Sequence, residues 1–254
     1  MSDGAGAEVI LELRDVGKTF KRFDHPPFLL RNIVSTLFSR KPQKPQFWPL
    51  RAVNAKISRG ETVAIVGRNG SGKSTLLRLI AGAAYPTQGT IAVRGRIAPL
   101  LQLGAGFQPD MTGRECSRVN GAALGLTPAE VEQRMPAISA FAELDGFLDT
   151  PVRYYSSGML ARLGFAVAVH TEPDLLLVDE VLAVGDHAFQ TKCLVKIDEL
   201  RNLGTTILFV SHDESQVRSL CKRALLIDGG ALAADGPVDE VFAMYTKLLG
   251  EAEA

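Results

Sequence analysis

The chain has 254 residues, 46% hydrophobic and 22% charged, a composition that excludes disorder over most of its length and fits one large domain or two small ones. Its 28 Lys+Arg equal its 28 Asp+Glu, which argues against a protein built to coat nucleic acid, and its three cysteines (Cys116, Cys193, Cys221) make no CxxC pair and no disulfide framework. No run approaches the ~20 apolar residues that span a bilayer, and Met1 to Glu8 lacks the basic region and apolar core of a signal peptide, so the expectation is a soluble cytoplasmic protein.

Val9 to Leu13 alternates apolar and polar residues and predicts a strand. Residues 21–51 then stand apart, with seven basic residues against one acid, Asp24, and five of the thirteen prolines. Between the prolines, Leu30, Ile33, Val34, Leu37 and Phe38 fall on one helical face, which predicts an inserted basic amphipathic helix with extended flanks. Two readings stay open for it: a surface helix packed on the domain, or a helix that meets a membrane surface or membrane partner. Thr62 to Val66 predicts a buried strand, followed by a Gly-rich turn and a helix over Lys73 to Ala83. Strands follow at Thr90 to Val93 and Arg96 to Leu101, then mostly helical periodicity from about 112 to 170. Asp174 to Val178 and Thr205 to Val210 predict strands, with a helix over Ala188 to Leu203 between them. Ala224 to Ile227 and Ala231 to Ala234 flank Gly229-Gly230 and predict a hairpin, and Val238 to Leu249 predicts a last helix. Strands alternating with helices imply an α/β fold around a mainly parallel sheet.

Gly67-Arg-Asn69-Gly70-Ser71-Gly72-Lys73-Ser74, followed by Thr75, matches GxxxxGK[ST] between a strand and a helix, the setting this phosphate-binding loop requires. Its glycines let backbone N–H groups turn inward toward phosphate oxygens, and the helix start adds its positive end. Lys73 is expected to reach the β- and γ-phosphates, and Ser74 to offer its hydroxyl to Mg²⁺. Leu175-Leu-Leu-Val-Asp179-Glu180 delivers two carboxylates at the C-terminal edge of a buried strand, where open α/β sheets bind ligands. Asp179 is expected to hold Mg²⁺ through water and Glu180 to polarise the attacking water. His212 ends the strand expected beside the carboxylate strand, within reach of a γ-phosphate.

The order of these elements resembles the ATP-binding subunit of ABC transporters, over about residues 8 to 248. Tyr155-Ser156-Ser157-Gly158-Met159 stands where that family carries its signature sequence, usually LSGGQ. Ser157 replaces a glycine and Met159 the glutamine, so a ribose contact is lost, while Ser156 and Gly158 can still meet a γ-phosphate at a helix start. By the same resemblance, Gln102 is the glutamine that senses Mg²⁺ and water, Asp186 the aspartate after the catalytic acid, and Phe20 the aromatic that stacks on adenine. Gln108 is a rival to Gln102 but falls later than the family pattern expects. Val181 to Asp186, Phe189-Gln-x-Lys-Cys193, Leu103 to Phe107 and Phe47-Trp48 are similar to the subfamily that exports O-antigen, capsule, teichoic acid and galactan chains. That group also places a helix at the position of the basic insertion. Some members carry an extra C-terminal carbohydrate-binding domain, for which these residues have no counterpart; a system without one and a shortened chain both stay open.

The resemblance implies one nucleotide-binding domain over 1–254: a P-loop NTPase (RecA-like) core with an antiparallel β subdomain at 8–102 and 171–254, a basic insertion at about 21–50, and an inserted α-helical subdomain at 103–170. It implies ATP and Mg²⁺ as ligands, and a head-to-tail homodimer in which each ATP lies between Lys73 of one copy and Ser156 to Gly158 of the other. It also implies a polytopic membrane subunit as partner, a lipid-linked polysaccharide as cargo, no nucleic acid, and a peripheral place on the cytoplasmic face of the membrane. The alternatives are a transporter of different cargo, or a soluble ABC ATPase acting on ribosomes or DNA; the chain lacks the second cassette or the coiled coils that those usually have. A plain P-loop kinase has no use for Ser156 to Gly158.

Overall fold

The computed structural model describes residues 8–21, 46–101, 103–104, 106–179, 185–211 and 213–250. The core of the expected basic helix, Glu180, His212 and Gln102 lie outside the described residues.

The described residues form two sheets. The smaller has the order β2-β1-β4, all antiparallel, from β1 (Val9–Lys21), β2 (Gln46–Ser58) and β4 (Gln88–Val93). The larger has the order β5-β6-β7-β3-β8-β9. Its members β3 (Thr62–Val66), β5 (Ile97–Leu100), β6 (Leu175–Val178), β7 (Thr206–Val210) and β8 (Arg223–Asp228) run parallel, and β9 (Ala231–Pro237) turns back antiparallel to β8. The strands β3, β6 and β7 are apolar on both faces because both faces are covered. Val63, Ile65, Leu175, Leu177, Leu208 and Val210 face α1 (Lys73–Ile80) and the small sheet. Ala64, Val66, Leu176, Val178, Ile207 and Phe209 face the other way. There they pack on α4 (Ser157–Val169), α5 (His187–Asn202), α6 (Glu214–Leu220) and α7 (Val238–Gly250).

A separate helical cluster joins α2 (Gly113–Ala123), α3 (Pro128–Ala142) and α4 around Val131, Ile138, Leu163 and Val167. Thr112 with Glu115 and Thr127 with Glu130 form capping boxes that start α2 and α3, each satisfying two backbone donors that the helix start leaves open. Helix α4 belongs to both cores, giving Phe165 and Ala168 to the sheet and Leu163 and Val167 to the helical cluster. The signature motif therefore opens a helix whose buried residues belong to both cores.

The expected α/β class, parallel core, and β8–β9 hairpin are present. The structure corrects three details. Residues 46–50, expected as an extended flank of the insertion, are the start of β2. The alternating pattern of β2 is masked by a change of phase: Leu50 is buried, then Val53, Ala55 and Ile57, because Ala52 has a φ of 46° and bulges the strand. Asp15, with a φ of 48°, does the same in β1, and its backbone N–H donates to Asn54 Oδ1 at 2.8 Å. Helix α1 ends at Ile80 rather than Ala83, since Gly82 with a φ of 73° leads the chain out. Helix α6 was not foreseen; Asp213 caps it by accepting from the N–H groups of Ser215 and Gln216.

Candidate nucleotide site

The loop between β3 and α1 owes its shape to glycines at two close approaches. Gly67 has a φ of 148°, and a Cβ there would lie 2.1 Å from Ile227 O on β8. Gly72 has a φ of 112°, and a Cβ there would lie 2.3 Å from Pro49 O on β2. A side chain at either place would push a neighbouring strand off the loop. Gly72 is also the residue before α1, and it offers no side-chain cap. A helix start without a cap presents backbone N–H donors and a positive partial charge.

Lys73 is buried, and its Nζ donates to the carbonyls of Gly67 at 2.7 Å and Arg68 at 3.0 Å. The loop thus wraps around its own lysine. Ser71 is buried as well, and its hydroxyl has no hydrogen-bond partner. A buried hydroxyl left unpaired costs about 1–3 kcal/mol, a cost that an anion seated in the loop removes. Beside the loop is an open cavity of about 260 Å³, lined by Phe47, Asn69, Gly70, Gly72, Lys73, Ser74, Thr75 and Asp179 among others. The structure therefore brings together most of the phosphate-loop residues and the first carboxylate of the Asp179-Glu180 pair. The adjacency of β6 and β7 also holds, which sets the strand leading to His212 beside the strand that delivers Asp179.

Other expected residues lie elsewhere. Ser156, Ser157, Gly158 and Asp186 do not line this cavity. Ser156 caps α4, accepting from the N–H of Met159 at 3.1 Å, and a Cβ on Gly158 would meet only Ser156 Oγ, at 3.7 Å. Asp186 caps α5, accepting from the N–H of Phe189 at 2.9 Å. That N–H, with Arg162 nearby, holds its carboxyl below the usual range. Phe20 sits at the end of β1, directly across from Phe47 on β2. The sequence reading missed two residues. Phe47 lines the cavity and was noted only as part of a subfamily pattern; its partner Trp48 turns instead toward Gly17. Arg162 on α4 pairs with Asp186 at 2.9 Å and with Glu143 at 2.7 Å, and its guanidinium lies 4.9 Å from the centre of the Phe189 ring. Nothing in one helical turn of sequence announces a residue that joins α3, α4 and α5.

A family model described as "ABC transporter" matches residues 50–183. An "O-antigen export system ATP-binding protein RfbB" of Klebsiella pneumoniae is 46% identical over 249 residues, 95% of this chain and 99% of that protein. A protein of the same name from Myxococcus xanthus is 52% identical over 205 residues, 81% of this chain but only 47% of that protein, so this chain spans about half of it. A "Teichoic acids export ATP-binding protein TagH" of Listeria monocytogenes is 42% identical over 217 residues, 85% of this chain and 64% of that protein. Among solved structures, an ATP-binding subunit of an ABC transporter superposes with a TM-score of 0.72 over 93% of both chains at 24% identity. A dimeric ATP-binding cassette in a post-hydrolysis state with ADP and phosphate gives 0.70, over 90% of this chain and 98% of that one at 22% identity, and both superpositions establish the fold. With its phosphate loop, its two sheets and these relatives, the chain belongs to the ABC transporter family.

Proposed function

We propose that this chain is the ATP-hydrolysing subunit of an ABC exporter that moves a polysaccharide or lipid-linked glycan across the cytoplasmic membrane. The observation that carries the reading is the loop built around buried Lys73, open to the cavity that Ser74 and Asp179 share. The names of the relatives, which concern O-antigen and teichoic acids, support the cargo class.

In this reading Lys73 exchanges its loop carbonyls for the β- and γ-phosphates of ATP, and Ser71 and the first turn of α1 donate to the same oxygens. A hydroxyl and a carboxylate are hard oxygen donors of the kind Mg²⁺ accepts, so Ser74 and Asp179, which share the cavity, would hold that ion, and the family resemblance adds Gln102. When bound, Mg²⁺ neutralises charge on the phosphate oxygens. Glu180 polarises a water that attacks the γ-phosphorus, and the bond to the β-bridging oxygen breaks to give ADP and phosphate. His212 and Lys73 meet the charge that develops. The start of α4 at Ser156 to Gly158, where Ser156 caps only the N–H of Met159, would face the γ-phosphate held by a second copy, which makes the working unit a head-to-tail dimer.

Among the described residues no helix is long and apolar enough to cross a membrane, and in this reading passage runs through a separate membrane subunit. A groove of about 420 Å³ between α1, β5, α2 and α4, walled by Leu101, Leu103, Leu124 and Ala168 with Arg78 at its side, suits a short apolar segment of that subunit. The protein then sits peripherally on the cytoplasmic face. We divide the chain as one cassette, with the ATP-binding core at 8–102 and 171–254 and the helical subdomain at 103–170.

The test is Glu180→Gln in light scattering with ATP and Mg²⁺. The variant is expected to bind ATP, barely hydrolyse it and accumulate as a dimer. A monomer at saturating ATP and Mg²⁺ overturns the shared site.

A further inference from the structure

The adenine side of the site has more than one aromatic ring. Phe20 and Phe47 are direct partners across β1 and β2, and residues so paired stand on the same face of a sheet. Both are apolar, yet 50% and 58% exposed. Their positions relative to the phosphate loop differ. Phe47 lines the cavity with Lys73 and Thr75, and Phe20 does not. Strand β2 is also held on two sides: against the phosphate loop, where a Cβ on Gly72 would strike Pro49 O at 2.3 Å, and against the β8–β9 turn, where a Cβ on Gly230 would strike Pro49 O at 2.7 Å and Arg51 N–H donates to Gly230 O at 2.7 Å. Phe47 is two residues from that anchor, so its place beside the phosphates is set by backbone. Phe20 is engaged on one side, where Lys18 Nζ lies 5.3 Å from its ring centre while donating to Tyr85 O at 2.7 Å.

We propose that Phe47 packs on the adenosine of the bound nucleotide, so that Phe20 and Phe47 together form a two-ring platform. The proposal rests on the ATP-binding reading above. Adenine stacks on the free side of Phe20, and Phe47 closes the gap between base and phosphates, covering the inner edge of the base and the ribose. This apolar contact stands in for the ribose hydrogen bond that Met159, where the family usually has glutamine, cannot supply. Apolar rings without hydrogen-bonding groups select a flat base but read its edge poorly, so the platform accepts other purine nucleotides.

The experiment is titration calorimetry of the full chain with ADP, which is not turned over, and with inorganic pyrophosphate, each with Mg²⁺. Phe47→Ala is expected to weaken ADP roughly five- to a hundredfold, as loss of a base-stacking ring does elsewhere, while pyrophosphate stays within about twofold. Phe47→Leu, which keeps apolar volume but no ring plane and preserves the strand, is expected to fall between. The proposal is overturned if Phe47→Ala binds ADP as the parent chain does, or if pyrophosphate weakens by the same factor, which would make Phe47 a prop for the loop. A parent chain that binds neither ligand overturns the ATP-binding reading itself. Parent binding with an indifferent Phe47 overturns only the platform.

Discussion

Replacing Gly72 by alanine separates two effects that a phosphate loop usually mixes. Gly72 and Gly70 both have positive φ, 112° and 80°, so alanine strains the backbone at each, by about 1–3 kcal/mol. Only Gly72 also has a neighbour in the way. Its added Cβ would lie 2.3 Å from Pro49 O and 2.8 Å from Leu50 Cδ2, whereas a Cβ at Gly70 meets nothing within 4 Å. Pro49 O is backbone, so relief requires β2 to move by close to an ångström. Overpacking of that kind costs about 1–3 kcal/mol beyond the strain. The expected difference between the variants is thus about 2 kcal/mol, or roughly 4–8 °C in Tm for a chain of this size. Urea or thermal unfolding without nucleotide measures it. ADP affinity should follow the same order, because the displaced strand carries Phe47. Equal stability of the two alanine variants would refute the argument that β2 and the loop are held by direct contact at Gly72.

Two further predictions concern single side chains. Lys73→Ala is expected to abolish nucleotide binding by calorimetry, and unchanged affinity would remove Lys73 from the role given to it. His170, half-buried with Nδ1 2.7 Å from Ala166 O and its ring 5.5 Å from that of Phe141, is held neutral mainly by burial, so its pKa lies below the ordinary value of 6.5. The unfolded chain therefore takes up this proton first, and stability is lost as pH falls from the ordinary value through the lower folded one. His170→Gln should flatten the stability profile in that window and leave it unchanged above, as unfolding midpoints across pH would reveal; an identical acid slope would show that His170 contributes nothing there.

The core strands were legible because β3, β6 and β7 are short apolar runs ending in chemistry: a glycine loop after β3, Asp179 after β6, Ser211 after β7. Of the two long strands of the small sheet only the start of β1, Val9 to Leu13, was legible, since Asp15 and Ala52 each reverse the in–out phase midway and hide the rest of the alternation. The loop itself was legible down to Ser74, because one backbone shape demands that run of glycines. What could not be read was proximity across the chain. Phe47 reaches Lys73 only because Pro49 is in contact with Gly72, and the residues between β1 and β2 give no hint of that. Arg162 likewise becomes significant only when α3, α4 and α5 are assembled.

Arg162 also bears on how a divided site could work as one. The expected phosphate donors fall into two groups, the loop with Lys73 and the start of α4 with Ser156 and Gly158, and α4 is shared by the sheet core and the helical cluster. A rigid helix with two cores passes displacement from one to the other with little loss, because packed interiors barely compress. Arg162 lies in the second turn of α4, and its partners sit at the C-terminal end of α3 (Glu143) and the N-terminal cap of α5 (Asp186). Asp186 caps α5 and Glu143 ends α3, so a shift at either carboxylate reaches the signature helix through one guanidinium. Exposed ion pairs add little stability. Arg162, however, is largely covered and rests on the Phe189 ring, which fixes its direction. Its value is then geometric: in the head-to-tail dimer proposed above, the signature helix that one copy offers to the other's ATP would already be aligned with the start of its own α5.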